Sequence, residues 1–514
     1  MSKQTMDCQE SNSSIWDSYY KTYQSDALVP GVKYPNEHLV TFIMNYKNSA
    51  AWPNNRRPRV LELGFGNITN MRMMADKGCD VLGLEVSDDS VKRARAAIDH
   101  FGLGEHLDVG SYMGPEIPCE DGEFDVIVGL QCVYYNVDQE TFSRECARVL
   151  RPGGLLFLSL FTPDSGYMSY SQGEPGGVVS FREDHHNPRL AGLQLFLYRN
   201  EAQFEETYGR YFDLSVGRIE TNLYPDFHSW YYVRGQKSDA APERRLTFNV
   251  AKPENAKEPE LLSEPANASE LAQENHNRWN DFVLRQPEQK PFSGLQYPSE
   301  RLLCFLATWK RRHSEHFFSS AIGKEEEFAQ MGGLRSLEID FLNPVMHEAQ
   351  LHFGYTPCGV SFPEAVRRGQ ESLECMGMAD KVNYKEWDGI DLPYEDDIFD
   401  VAFGLKAAYY HPNQEHFVKE VARVVKPGGE CFFNYMTPRM GYQAYMRHVS
   451  GNVYRFDETH PDPNMVGMHV FYAGEEALNR LWEPYFDVEV KYVDFSAYKF
   501  YSSFYVVTGR RLGG

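Results

Sequence analysis

From residue 59 onward, apolar runs alternate with amphipathic stretches. RVLELG (59–64) is an apolar run closed by glycine, MRMMADKG (71–78) carries apolar residues at helical spacing, and DVLGLEV (80–86) is a second apolar run. DSVKRARAAIDHFG (89–102) reads as a charged, Ala-rich helix ended by glycine, and FDVIVGL (124–130) as a third buried strand. QETFSRECARVL (139–150) is an amphipathic helix stopped by RPGG, after which LLFLSLFT resumes the sheet. YFDLSVGRIE (211–220) and WYYVRG (230–235) are expected to pair as an antiparallel edge. Strand–helix alternation at this spacing predicts an α/β fold, a doubly wound, mostly parallel sheet.

The pattern then repeats. RSLEIDFLN (335–343) matches RVLELGFGN (59–67) at five of nine positions, with Asp340 for Gly64 and Leu342 for Gly66. Trp16 precedes Tyr34 by eighteen residues and Trp279 precedes Tyr297 by eighteen. Residues 123–154 lie over 398–429 without a gap, and YFDVEVKYVD and FYVVTG repeat the closing strands. Two tandem copies are expected, at 12–236 and 273–511. Between them, 237–272 is rich in proline, alanine and charge and reads as an extended linker.

Composition narrows the class. Of 514 residues, 42% are hydrophobic and 24% charged, which suits a folded chain. No apolar run approaches the ~20 residues of a membrane span, and MSKQTMDCQESNSS lacks a signal-peptide layout. Nine cysteines without a CxxC pair suit reduced thiols in the cytoplasm. A net charge of −22 and only short basic runs make a nucleic-acid partner unlikely, and no membrane partner is expected.

A glycine-bearing turn after the first strand lets a ligand approach the backbone at a helix N-terminus, or is simply a tight turn. Glu85, ending the second strand, stands where a carboxylate can hold ribose hydroxyls. Together LELGFGN, Glu85, IPCEDGEFDVIVGL and RVLRPGG resemble the class I S-adenosylmethionine-dependent methyltransferases, clearly over 59–162. The resemblance implies two Rossmann-like domains and S-adenosyl-L-methionine as cofactor. It implies that Glu62, Gly64 and Gly66 face the methionine part, that Glu85 holds the ribose and that Val86 lies beside adenine. Met113 holds the position of a frequent acidic residue near adenine; with Tyr112 it would pack there instead. Ile68 replaces the family's third glycine. Gln131 would sit at the active-site mouth, and Tyr20, in the N-terminal segment, would close over the cofactor.

Methyl transfer needs an in-line nucleophile and exclusion of water. Tyr134, beside Tyr135, is a candidate to orient the acceptor, or is packed core like its repeat Tyr409–Tyr410. His185 and His186 in FREDHHN are candidate bases, or a polar surface turn. No metal is expected there, because adjacent ligands rarely converge unaided.

The second copy keeps the pattern but not the site residues. Asp340 puts a side chain and a charge at the turn, Ser361 replaces Glu85, and Asp388 is retained on the adenine side. The expectation is a methyltransferase whose first copy is catalytic and whose second is degenerate. Its acceptor is expected to be a small polar metabolite or sugar-like intermediate, with the two copies pairing within the chain and a homodimer left open. The alternative is a non-catalytic scaffold in which both copies are degenerate.

Overall fold

The computed structural model describes residues 11–12, 14–16, 35–185, 188–221, 228–239, 260–285, 302, 305–306, 333–341, 344–405, 407–495 and 502–513. The chain divides into two compact units, residues 1–251 with 495–500, and 252–494 with 501–514.

In the first unit, helix α1 (Glu37–Lys47) starts at Asn36, whose side chain accepts from the His38 and Leu39 N–H groups. Strand β1 (Arg59–Leu63) leads through the glycine turn into α2 (Thr69–Asp76), and β2 (Asp80–Glu85) into α3 (Asp88–His100), capped by Ser87. β3 (Leu107–Ser111) and β4 (Phe124–Leu130) follow, then α4 (Gln139–Val149) and β5 (Leu150–Phe161). β6 (Ser171–Gln172), β7 (Gly177–Phe181) and β8 (Gln194–Leu197) form a separate small sheet. Helix α5 (Glu201–Tyr208) precedes β9 (Phe212–Thr221) and β10 (His228–Lys237).

The main sheet runs β3-β2-β1-β4-β5-β10-β9. Its first five strands are parallel, and β10 is antiparallel to both neighbours. β5 begins before the RPGG turn rather than after it. Phe124 pairs with Leu150 and Val126 already with Leu155, so the turn is absorbed as an irregularity within the strand.

The second unit repeats this plan after helix α6 (Ala268–Arg285), which begins inside the stretch read as linker. Its strands are β11 (Leu334–Ile339), β12 (Tyr355–Ser361), β13 (Asn383–Glu386), β14 (Phe399–Gly404), β15 (Val425–Met436), a small sheet β16 to β18 (Met446–Ser450, Val453–Phe456, His469–Phe471), β19 (Phe486–Phe495) and β20 (Ser502–Arg511). Its helices are α7 (Val345–His352), α8 (Pro363–Cys375), α9 (Gln414–Val424) and α10 (Glu475–Trp482). The order β13-β12-β11-β14-β15-β20-β19 is that of the first unit.

The duplication reaches single side chains. Asp125 accepts from the Arg59 N–H and from Arg151; Asp400 does the same with the Arg335 N–H and Lys426. Each pins the start of one strand to the next. Arg148 and Arg423 each bind the acid three residues before them, Glu145 and Glu420, and the Ile117 and Leu392 carbonyls. Asp391, His416 and Glu420 come close enough to suggest a metal group. Glu420 is already held by Arg423 and by the Leu392 N–H, as Glu145 is in the first unit, so this cluster is an ion-paired brace.

Candidate active site

In the first unit, the turn after β1 is left-handed at Gly64 (φ 61°) and Gly66 (φ 57°). A β-carbon at position 64 would lie 2.5 Å from the Cys132 Cβ and 2.7 Å from its Sγ. Glycine is therefore required there by Cys132 packing as well as by backbone angle. Cys132 in turn donates to the Leu63 carbonyl at 2.9 Å, and burial pushes its thiol up. Ile68 is buried with φ −79° as the cap of α2, so the family's third glycine has no left-handed angle to serve here.

Glu85 ties the turn to the end of β2. One carboxylate oxygen accepts from the Gly66 N–H at 2.9 Å and the other from the Val86 N–H at 2.8 Å. These bonds orient the carboxylate at the end of β2. Glu62 is buried, with Oε1 accepting from Asn70 at 3.0 Å; Asn70 is in turn bonded by the Asn36 N–H at 2.9 Å. Its Oε2 is buried without a hydrogen-bond partner. Burial, with the Glu85 charge adding, pushes its carboxyl up to about 8. Glu62, the two glycines, Glu85 and half-buried Val86 are thus gathered at the carboxyl ends of β1 and β2.

Other expected residues lie differently. Tyr112 is half-buried and turned inward, its hydroxyl against Gly114 and Asn136, and burial pushes its phenol well up. Met113 is 51% exposed. Gln131 is exposed, with φ 56° and its N–H bonded to the Ser159 hydroxyl at 2.9 Å. Tyr134 is 2% exposed and packs on Phe161 and Tyr135, as core. His185 is 3% exposed among Phe181, Tyr170 and Tyr167, not on a polar surface turn. His460 in the second unit stands among Phe456, Tyr445 and Tyr442 in the same way. Tyr20 and His186 lie outside the described residues.

One feature of both units escaped the sequence reading. Asn12 donates to the Tyr135 and Gln194 carbonyls at 3.3 and 2.8 Å and accepts from the Gln194 N–H at 3.0 Å. Trp16 meets Tyr135 edge-on at 5.3 Å. Asn275 does the same with Tyr410 and His469 at 2.7, 2.6 and 2.8 Å, and Trp279 meets Tyr410 at 5.2 Å. The repeated Asn-x-x-x-Trp spacing, Asn12 to Trp16 and Asn275 to Trp279, is the sequence signal of this clamp.

In the second unit Asp340 keeps the turn, with φ 56° and its N–H on the Val360 carbonyl, as Gly64 is bonded to Leu84. Aspartate is among the residues that tolerate this angle. Its carboxylate bonds His411 Nε2 at 2.8 Å. The residue equivalent to Cys132 is Ala407, with φ −75° in place of −139°, so the sulfur is gone and the local backbone has turned. Ser361 is fully buried and makes no contact like that of Glu85. Phe362 and Trp387 answer Val86 and Tyr112, and the buried His276 ring stands edge-on to both, at 5.7 and 6.2 Å. Asp388, expected on the adenine side, is exposed and caps its own loop through the Ile390 and Asp391 N–H groups.

Residues 61–158, and again 347–433, match the family of the methyltransferase domain. One match falls in each unit, so the chain is similar to that domain twice over. The second match begins beyond Asp340. A ubiquinone biosynthesis O-methyltransferase of Sinorhizobium medicae is 33% identical over 112 residues, 21% of this chain and 44% of that protein. A probable S-adenosylmethionine-dependent methyltransferase of Mycolicibacterium smegmatis is 29% identical over 198 residues, 37% of this chain and 70% of that one. Among solved structures, a SAM-dependent methyltransferase from Methanosarcina mazei aligns 96% of its length with 38% of this chain, at 16% identity and a TM-score of 0.30. The chain thus spans under half of the first relative. The Mycolicibacterium relative is named for its dependence on S-adenosylmethionine. The first unit's residues fit it: a buried carboxyl oxygen lacks a partner, and a glycine turn with an oriented carboxylate lies alongside.

Proposed function

We propose that the first unit binds S-adenosylmethionine and directs methyl transfer to a small molecule, and that the second unit is a non-catalytic copy. The contrast between Gly64 and Asp340 carries this reading. In the first unit Glu62 Oε2 is available to the cofactor's ammonium, and Glu85, oriented by the Gly66 and Val86 N–H groups, is the carboxylate assigned to its ribose hydroxyls. When bound, the cofactor supplies an activated methyl on a sulfonium, a good leaving group. The chain's part is to hold the acceptor in line and keep water out. His185 is enclosed by rings and has a twin in the second unit, which favours packing over base catalysis.

In the second unit, Asp340 paired with His411 and the His276 ring against Phe362 and Trp387 take up the corresponding space. No described helix is long and apolar enough to cross a membrane. The compartment proposed is the cytoplasm, where unpaired thiols such as buried Cys146 and Cys431 persist.

Calorimetric titration of the whole chain tests the reading. Glu85→Ala is expected to weaken S-adenosylmethionine binding by about tenfold or more, as loss of a charged hydrogen-bond acceptor implies. Unchanged affinity removes the ribose assignment.

A further inference from the structure

The nature of the acceptor can be narrowed from the same unit; the inference rests on the first unit being the catalytic one. Open α/β sheets bind ligands beyond the carboxyl ends of their strands. Two strands over from the Gly64 turn, at the end of β5, that edge is built from rings. Phe161 is the last residue of β5, and Trp230 lies directly across from it on β10. The two are stacked, with centroids 4.2 Å apart and planes at 25°. Tyr134 and Tyr167 pack on Phe161 at 4.8 and 5.5 Å. Tyr134 and Phe161 are buried, whereas Trp230, Tyr167 and Tyr135 remain half-exposed. Among the described residues, Arg218, bonded to Asp164, lies on the other face, over Tyr231, whose side chain projects opposite to that of Trp230.

The second unit is an internal control. Met436 faces Phe504 across the equivalent strand pair, so the unit that lost the glycine turn also lacks the stacked indole. The histidine cages and the clamping asparagines persist in both units; the Phe161–Trp230 stack does not.

We propose that the acceptor carries a planar, largely apolar ring, and that Trp230 is the residue on which this ring lies. A sugar-like acceptor needs several side-chain hydrogen-bond partners converging on it. This edge offers ring faces, which favour offset stacking.

The test is saturation-transfer NMR on the full chain loaded with S-adenosylhomocysteine, with hydroxylated benzoates and indoles as one probe set and monosaccharides as the other. Saturation of the ring probes is expected, with about three- to tenfold weaker binding in Trp230→Ala and most of it kept in Trp230→Phe. Binding of monosaccharides in preference, no binding of any ring probe to the loaded chain, or equal binding by wild type and Trp230→Ala overturns the proposal. Failure of the chain to take up S-adenosylhomocysteine instead defeats the underlying methyltransferase reading. The ring probes can be titrated on the unloaded chain, so the two failures are separable.

Discussion

At position 64 the backbone turns left-handed and Cys132 stands where a β-carbon would go. Aspartate tolerates the angle but not the sulfur, which accounts for Ala407 standing in the second unit where Cys132 stands in the first. Gly64→Asp alone is therefore expected to strain the turn and abolish cofactor binding, and Gly64→Asp with Cys132→Ala to recover folding without recovering binding. Thermal melts paired with titrations separate the two; restored binding in the double variant contradicts the role given to Asp340. Glu62 adds a pH effect. Its folded-state pKa of about 8 exceeds the ordinary 4.5, so the folded state keeps a proton that the unfolded chain has released. The resulting stability is fully present below pH 4.5 and lost as pH rises through 8. Glu338, pushed to about 8 by burial, acts in the same sense. Melting temperature of the cofactor-free chain is expected to fall between about pH 5 and 9. The fall should flatten in Glu62→Gln/Glu338→Gln; an equal slope in that variant denies both carboxyls the effect.

Among the elements, β1, β2, β4 and β5 are readable because each carries an apolar run bounded by glycine or a charged turn, and the pairing edge because both copies repeat it, whereas β3 (LDVGS) alternates buried and exposed residues and carries no such run. β5 was misjudged at its start, since RPGG looks like a break and only the register with β4 shows the chain staying in the sheet. The small sheets β6–β8 and β16–β18 escaped because their strands are short and mixed in polarity. The site was half legible. Gly64, Gly66 and Glu85 announce themselves by spacing, whereas His276 acts from a segment far along the chain and Asn12 is marked only by its repeated spacing to Trp16. The asparagine clamps join an N-terminal segment to a 3-10 turn and a small sheet. Asn275→Ala is expected to cost about 1–3 kcal/mol, because it orphans buried backbone groups. Denaturant unfolding reads the cost, and hydrogen exchange at the His469 amide should speed up; a protected amide there removes the clamp.

Over the whole molecule, one fold appears twice with its braces intact: Asp125 and Asp400, Arg148 and Arg423, Asn12 and Asn275, His185 and His460. Among the described residues, Asp340, Ser361 and Met436 differ at strand ends of the second unit, and His276 stands on α6 against Phe362 and Trp387. Fold and site are separable in this way, since the braces lie within and beneath the sheet and the site sits at its edge. The most direct measurement is the stoichiometry of S-adenosylmethionine binding to the intact chain. One site per chain, lost in Gly64→Asp/Cys132→Ala and unaffected by Asp340→Ala, is the predicted result. Two sites, or a single site that survives the change at Gly64, would contradict it.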